Sequence, residues 1–294
     1  MPLISVIMAS YNHEKYIPES IESVLDQSFN DLELIIIDDA SKDHSRNVIE
    51  KYSGVDPRVR PIFHEKNLGI AKTFNEGIRL SKGKFIAFLA SDDAWTVDKL
   101  KKQMEILEKD ENVIVWTEGE IVDDVGRPVG KKFTDFNGGS KRKKSGHIFN
   151  DLMLVNYIFG SSLILKRDNL KDIRFNEGLK YLNDYLFYLD LSVLYDYYFI
   201  DEFLVKYRIH GNNTILSNKK EWHSDMIKVD DYLLDKYYTL INKYIKTKIL
   251  CYNVYLCYTL GNVRASLDYL IRGIKLSPLS VSFIMFSYLT KGHA

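Results

Sequence analysis

Four short polar clusters, each directly after an apolar run, carry the residue types from which a catalytic cleft could be built: Ser10-Tyr11-Asn12, Asp38-Asp39, Asn67-Leu68-Gly69 and Ser91-Asp92-Asp93. Each also has a plain structural use, because Asp, Asn and Ser cap helices that follow strands, and Asp43 or Ser45 could cap the second helix equally well. Four such clusters on successive strand ends are harder to assign to capping alone. Neither GxGxxG nor GxxxxGK[ST] occurs, which argues against a dinucleotide dehydrogenase and a P-loop NTPase. A phosphate near Asp92 and Asp93 would be repelled unless a divalent cation bridged carboxylate and phosphate oxygens. The combination points to a nucleotide diphosphate held with Mn2+ or Mg2+.

The elements that must position these clusters are legible from hydrophobic period. Leu3 to Met8 is a buried-strand run, after which Ile17, Ile21, Val24 and Leu25 recur on one helix face. Leu32 to Ile37, Val59 to His64 and Lys84 to Leu89 predict three more strands. Helices follow them around Val48, Ile49 and Tyr52, through Ala71, Phe74 and Ile78, and through Val97, Leu100, Met104 and Leu107. Strand and helix alternating in this way predict an α/β fold with a mostly parallel, doubly wound sheet and helices on both faces. In such a sheet ligands bind beyond the carboxyl ends of the strands, where the four clusters fall. Shorter strands (Val113 to Trp116, Ser162 to Leu165, Phe203 to Tyr207) then alternate with irregular stretches, and after Asn218 the sequence is helical throughout. Within that tail, Leu260 to Pro278 resembles one tetratricopeptide-like helical hairpin, a single copy rather than a solenoid.

SVIMASYNHEKYIPESIESVLDQSF, LELIIIDDASKDHS, NLGIAKTFNEGI and GKFIAFLASDDAW resemble, in order and spacing, the signature blocks of family 2 glycosyltransferases with the GT-A fold. The resemblance is strong over residues 3 to 110, continues to about 215 and is generic beyond. It implies a nucleotide-sugar-binding half over 1–110, an acceptor-side half over 111–217 and a C-terminal helical region over 218–294. It also implies that Tyr11 and Asp39 hold the base and ribose of the donor, with Ser10, Asn12, Asn67, Ser91 and Asp92 as further donor contacts. The acids after the fourth strand then bind the metal. Three departures stand out: Ala90 replaces the first acid of the family's Asp-x-Asp-Asp, leaving Asp92 as the direct ligand with Asp93 beside it. A frequent Arg falls on Phe74, so Lys72 is the nearest basic substitute. Asn183-Asp184 stands where the family has Glu-Asp, which puts Asp184 on the catalytic base.

Without the resemblance, Asp184 reads first as the N-cap of an amphipathic helix. Arg208 and His210, in VKYRIHGNNT, match an Arg-x-His placed near diphosphate, acceptor and metal, although a lone His is more often packing. The Lys141-Arg142-Lys143-Lys144 run is either a solvated loop or a contact for an anionic lipid surface or pyrophosphate-linked acceptor. The Tyr-rich segment from Tyr195 to Phe199 reads as core, because Tyr197 and Tyr198 cannot both face one side of a strand.

The whole-chain composition sets the outer bounds. Its 294 residues are 46% hydrophobic and 27% charged, enough for one large or two modest folded domains. Forty basic against 40 acidic residues leave no field to draw the chain onto nucleic acid. Cys251 and Cys257 are wrongly spaced for zinc or a disulfide framework, no apolar run spans a bilayer, and the first residues read as a strand rather than a signal peptide. The expectation is a cytoplasmic protein, in peripheral contact with the inner face of the membrane. Its activity would be inverting, non-processive transfer from a UDP-sugar to a hydroxyl-bearing glycan or lipid-linked acceptor, since no QxxRW is present. Two other classes stay open: a catalytically weak relative scaffolding through its helical tail, motivated by Ala90 and Asn183, and a nucleotidyltransferase, which lacks its usual Gly-rich basic loop.

Overall fold

The computed structural model describes residues 1–136, 138–211 and 218–291. Two compact units make up the chain, one of Met1–Gly178 with Asn183–Asn213 and one of Leu179–Leu182 with Thr214–Ala294.

The first unit opens with four strand and helix repeats: β1 (Ile4–Ser10), α1 (Ile17–Leu25), β2 (Leu32–Asp38), α2 (Ser45–Val55), β3 (Val59–Phe63), α3 (Ile70–Leu80) and β4 (Phe85–Ala90), which leads through β5 (Ala94–Trp95) to α4 (Lys99–Leu107). β1 to β4 are parallel to one another, and every residue of β1 and β2 is buried. That is the burial of strands covered on both faces, and it explains the unbroken apolar runs. Along β1, Ile4, Val6 and Met8 share a core with Ile17, Ile21 and Val24 of α1 and Ile49 of α2. Ile7 points the other way, toward α3. There Gly77 lets helix and strand meet, since a Cβ at that position would lie 2.3 Å from Ile7 Cγ2. Fully burying each such Ile or Val stabilises the fold by roughly 1.5–3 kcal/mol.

Beyond β4 the sheet becomes mixed. β6 (Ile114–Val122), β7 (Pro128–Lys132), β8 (Ile164–Lys166) and β9 (Tyr197–Arg208) extend it to nine strands in the order β3-β2-β1-β4-β8-β6-β9-β5, with β7 on β6. β8 runs antiparallel to β4 and β6, β5 antiparallel to β9, and β6 parallel to β9. The parallel pattern thus holds for the first four strands. A further parallel strand needs a long crossover, and the stretch from β7 to β8 contains only the four-residue helices α5 (Phe133–Phe136) and α6 (Phe149–Leu152) before α7 (Asn183–Leu194). β9 starts earlier than Phe203 because the Tyr-rich segment is its first half: Tyr197 is buried and Tyr198 is exposed, the alternation a strand imposes. β6 runs on past Trp116 because the buried Glu118 carboxylate accepts the Thr134 N–H and hydroxyl, at 3.1 and 2.5 Å.

The second unit contains α8 (Lys219–Lys236), α9 (Lys243–Thr259), α10 (Val263–Leu276) and α11 (Pro278–Lys291). α8, α9 and α10 each begin at an Asn whose side chain accepts a first-turn N–H: Asn218, Asn242 and Asn262. Leu260 and Gly261 form the turn between α9 and α10, with Gly261 at φ 78°. Cys251 and Cys257 are buried and unbridged, Cys251 packing with Val281 and Ile284. No helix among the described residues is long and apolar enough to cross a membrane.

Candidate active site

Strand register brings the polar clusters level. Ser10 pairs with Asp38, Ala9 with Ala90 and Asp38 with Phe63, so the loops after β1 to β4 leave the sheet along one edge. At β2 the two acids divide the work. Asp38 accepts the Ser41 N–H (2.9 Å) and hydroxyl (2.5 Å), closing a tight turn through Ala40 at φ 63°. Asp39 accepts the N–H groups of Leu68 (2.7 Å) and Gly69 (2.8 Å), fixing the start of α3. Its third partner is His64 Nδ1 at 2.7 Å, while His64 Nε2 faces Glu76 at 2.8 Å. With a carboxylate on each nitrogen, both must donate, so the ring is an imidazolium. Burial opposes that charge, but the hydrogen bonds and charges of Asp39 and Glu76 outweigh it and hold His64 above its ordinary value.

This cluster has a pH signature. Because the folded state raises the His64 pKa, its stabilisation is complete below the unfolded value of about 6.5 and is lost as pH rises above that through the higher folded value. The stability gap between wild type and His64→Gln, measured by urea unfolding, should therefore shrink from about pH 6 to about pH 9. A gap that is constant or widens over that range would contradict a charged His64.

At β1, Asn12 sits at φ 55°, donates its N–H to Ser41 Oγ (2.8 Å) and accepts the Lys42 N–H on Oδ1 (2.7 Å). It ties two edge loops together, with its side-chain oxygen already engaged. Ser10 is buried beneath the edge, its Oγ without a hydrogen-bond partner among the described residues. Tyr11, Asn67 and Lys72 are exposed. Phe74 packs against Phe88 and Phe175 at centroid distances of 5.4 and 5.1 Å, which is why no basic side chain is accommodated there.

After β4 the adjacent acids point apart. Asp92 Oδ2 lies 3.0 Å from His210 Nε2. Burial works against its charge, yet His210 and His13 hold it below the usual carboxylate range. Asp93 accepts the Ser161 hydroxyl (2.6 Å) and the Arg208 N–H (3.1 Å), and burial beside Asp92 raises it well above that range. Asp93, expected among the metal ligands, is thus turned into the protein, where it anchors the loop to β9 and to Ser161, whose carbonyl accepts Trp95 Nε1–H at 2.7 Å. Arg208 also differs from expectation. Its guanidinium is buried, donates from Nε to the Asp92 carbonyl (2.9 Å), pairs with Glu19 and lies over the Tyr16 ring, so it braces the loop from within.

His13 joins Asp92 and His210. The ligand atoms of these three residues lie within 4.8 Å of one another. Two imidazoles and a carboxylate fit a divalent cation. His210 stacks on Tyr16 at 4.7 Å and meets the His13 ring edge-on at 5.6 Å. His13, three residues past β1, and His64, directly after β3, could both have been sought in the sequence as imidazoles at the carboxyl ends of strands.

Asp184 is the second residue of α7, its Oδ1 accepting the Tyr185 N–H at 2.6 Å. Burial raises its pKa to about 6, the backbone N–H groups offsetting part of the shift. Tyr207, edge-on to Phe133 and Phe159, is raised by burial and then by the charges of Asp93, Asp92 and Asp184. In the basic run, Lys141 and Lys143 are exposed, whereas the Lys144 ammonium lies over Phe199 at 4.5 Å and Arg142 is half-buried.

The family model for Glycosyl transferase family 2 matches residues 5–174. An uncharacterized glycosyltransferase of Methanocaldococcus jannaschii is 32% identical over 259 residues, covering 86% of this chain and 83% of that protein. The putative teichuronic acid biosynthesis glycosyltransferase TuaG of Bacillus subtilis is 32% identical over 220 residues, 74% of this chain and 83% of that protein. Among solved structures, S. aureus TarS 1-349 in complex with UDP-GlcNAc superposes with a TM-score of 0.69 at 21% identity, covering 98% of this chain and 85% of that one. The mannosyltransferase PcManGT of Pyrobaculum calidifontis, in complex with GDP-Man and Mn2+, gives 0.57 at 14% identity, covering 100% and 76%. A sheet edge that gathers carboxylates and imidazoles, the signature blocks along that edge and these relatives agree: the chain belongs to glycosyl transferase family 2 and has the GT-A fold.

Proposed function

We propose that this glycosyltransferase moves a sugar from a UDP-sugar to an acceptor hydroxyl with inversion at the anomeric carbon, one transfer per encounter. The observation that carries the reading is Asp184, a carboxylate in the first turn of α7 whose pKa burial raises to about 6. A base of that pKa is ionised at neutral pH and can still accept a proton as an alcohol attacks. The acceptor oxygen bonds to the anomeric carbon, the bond from that carbon to the diphosphate breaks, and the hydroxyl proton passes to Asp184. The transition state is oxocarbenium-like, so the chain's tasks are to align the hydroxyl and to exclude water. Asp39 and the 67–69 loop would seat the nucleoside, with Tyr11 exposed beside them. Asp92 and His210 would hold Mn2+ or Mg2+, and a divalent cation, when bound, neutralises charge on the departing diphosphate.

TuaG and TarS suggest the same donor class and a glycan acceptor, free or lipid-linked. Peripheral contact with an anionic leaflet at the cytoplasmic side would fall mainly to Lys141 and Lys143. The test is a panel of nucleotide sugars, scored for diphosphate release with and without Mn2+. Cation-stimulated release of UDP from at least one UDP-sugar is expected. Binding without turnover of any donor would instead support a scaffolding role.

A further inference from the structure

His13 has no part in the roles proposed for Asp39, Asp92, His210 and Asp184, yet it is held as firmly as any of them. Its N–H donates to Ser45 Oγ at 3.0 Å, and Nδ1 lies 2.8 Å from the Ser91 hydroxyl, itself buried. These two contacts come from different loops and aim the ring at Asp92 and His210. Packing alone would not require an imidazole to face a second imidazole and a carboxylate. The spacing suits ligation: two donors at right angles on an ion with bonds of about 2.1 Å lie about 3 Å apart, and Asp92 Oδ2 is 3.0 Å from His210 Nε2. The His13 donor lies within 4.8 Å of the other two, wider than bonds of about 2.1 Å allow, so it would join them by closing on the ion. Donor chemistry then sets selectivity, because Mg2+ takes oxygen ligands and keeps its waters, whereas imidazole suits first-row transition ions.

We infer that His13 is the third protein ligand of a cation site with Asp92 and His210, and that its two imidazoles make the site select transition ions over Mg2+. The inference deepens, and rests on, the reading of this cleft as the seat of the donor diphosphate's cation. Mn2+ alone is the probe, titrated into the full chain and followed by loss of the free-ion EPR signal. Wild type should bind one ion, with nitrogen couplings from two imidazoles in pulsed EPR. His13→Ala should lose one coupling and bind Mn2+ at least about 10-fold more weakly. His13→Gln, which keeps a polar partner for Ser91, should fold as wild type and lose the same coupling. Displacing the bound Mn2+ should need about 100-fold or more Mg2+. Unchanged couplings in both variants, or displacement by equimolar Mg2+, overturns the inference. Mn2+ that strengthens UDP binding equally in wild type and His13→Ala overturns it while leaving the donor reading intact. Failure of UDP to bind with any cation would sink that reading itself.

Discussion

Asp184→Asn should lower sugar transfer at least about 100-fold, the usual scale for losing a general base, while UDP and Mn2+ affinities stay within about twofold of wild type. The separation follows from placement. Asp92 follows β4 and faces His210, whereas Asp184 stands in the first turn of α7. Asn keeps an oxygen for the Tyr185 N–H, so the helix start survives, but it cannot take a proton. The wild-type enzyme should gain activity as pH climbs through about 6, where the buried carboxylate ionises, and the residual activity of the variant should lack that rise. Transfer at the wild-type rate in a folded Asp184→Asn protein would remove it as the base.

The second large effect is on the donor. Asp92→Ala should abolish the gain in UDP affinity that Mn2+ provides, a loss of at least about tenfold, because no Gly-rich loop cradles the diphosphate in place of the cation. Calorimetric titration of UDP with and without Mn2+ gives the answer directly. An equal metal-dependent gain in mutant and wild type would move the cation elsewhere. Asp93→Asn should behave differently. Asn keeps an acceptor oxygen for the Arg208 N–H and an amide that can donate to the Ser161 oxygen.

The first four strands and their helices were legible because each is a short-range pattern: an apolar run, a polar break, then helical period. In the second half the short runs at 113–116, 162–165 and 203–207 marked β6, β8 and β9, but not their extent or partners, since β8 is three residues long and β9 is recruited by pairing with β6 and β5, contacts that leave no local period. The same distinction governs the site. Asp92 and His210 could be paired through the family's motifs, and the structure sets them 3.0 Å apart. The family motif alone ranks Asp92 above Asp93 as the direct ligand; what turns Asp93 away is Ser161 and the Arg208 N–H, which no local pattern announces. Arg208 looked available for phosphate because nothing in VKYRIHGNNT announces Glu19, far back on α1, as its partner. The absence of the family's Arg has a similar account: Phe74, at its place, is committed to an aromatic cluster with Phe88 and Phe175, partners from β4 and from beyond β8.

The pairing of β5 with β9 also sets an order of assembly. β1 to β4 join one another through helical crossovers and can pair while later residues are still being synthesised. β5 waits, because Ala94 and Trp95 pair with Lys206 and Val205, and closing so long a loop is slow. Until β9 docks, Asp93 lacks the Arg208 N–H and Asp92 lacks His210. A nascent or partly unfolded chain thus presents the edge proposed for the nucleoside and no finished acidic loop, so the proposed metal-dependent capture of donor would be acquired only when the ninth strand is in place.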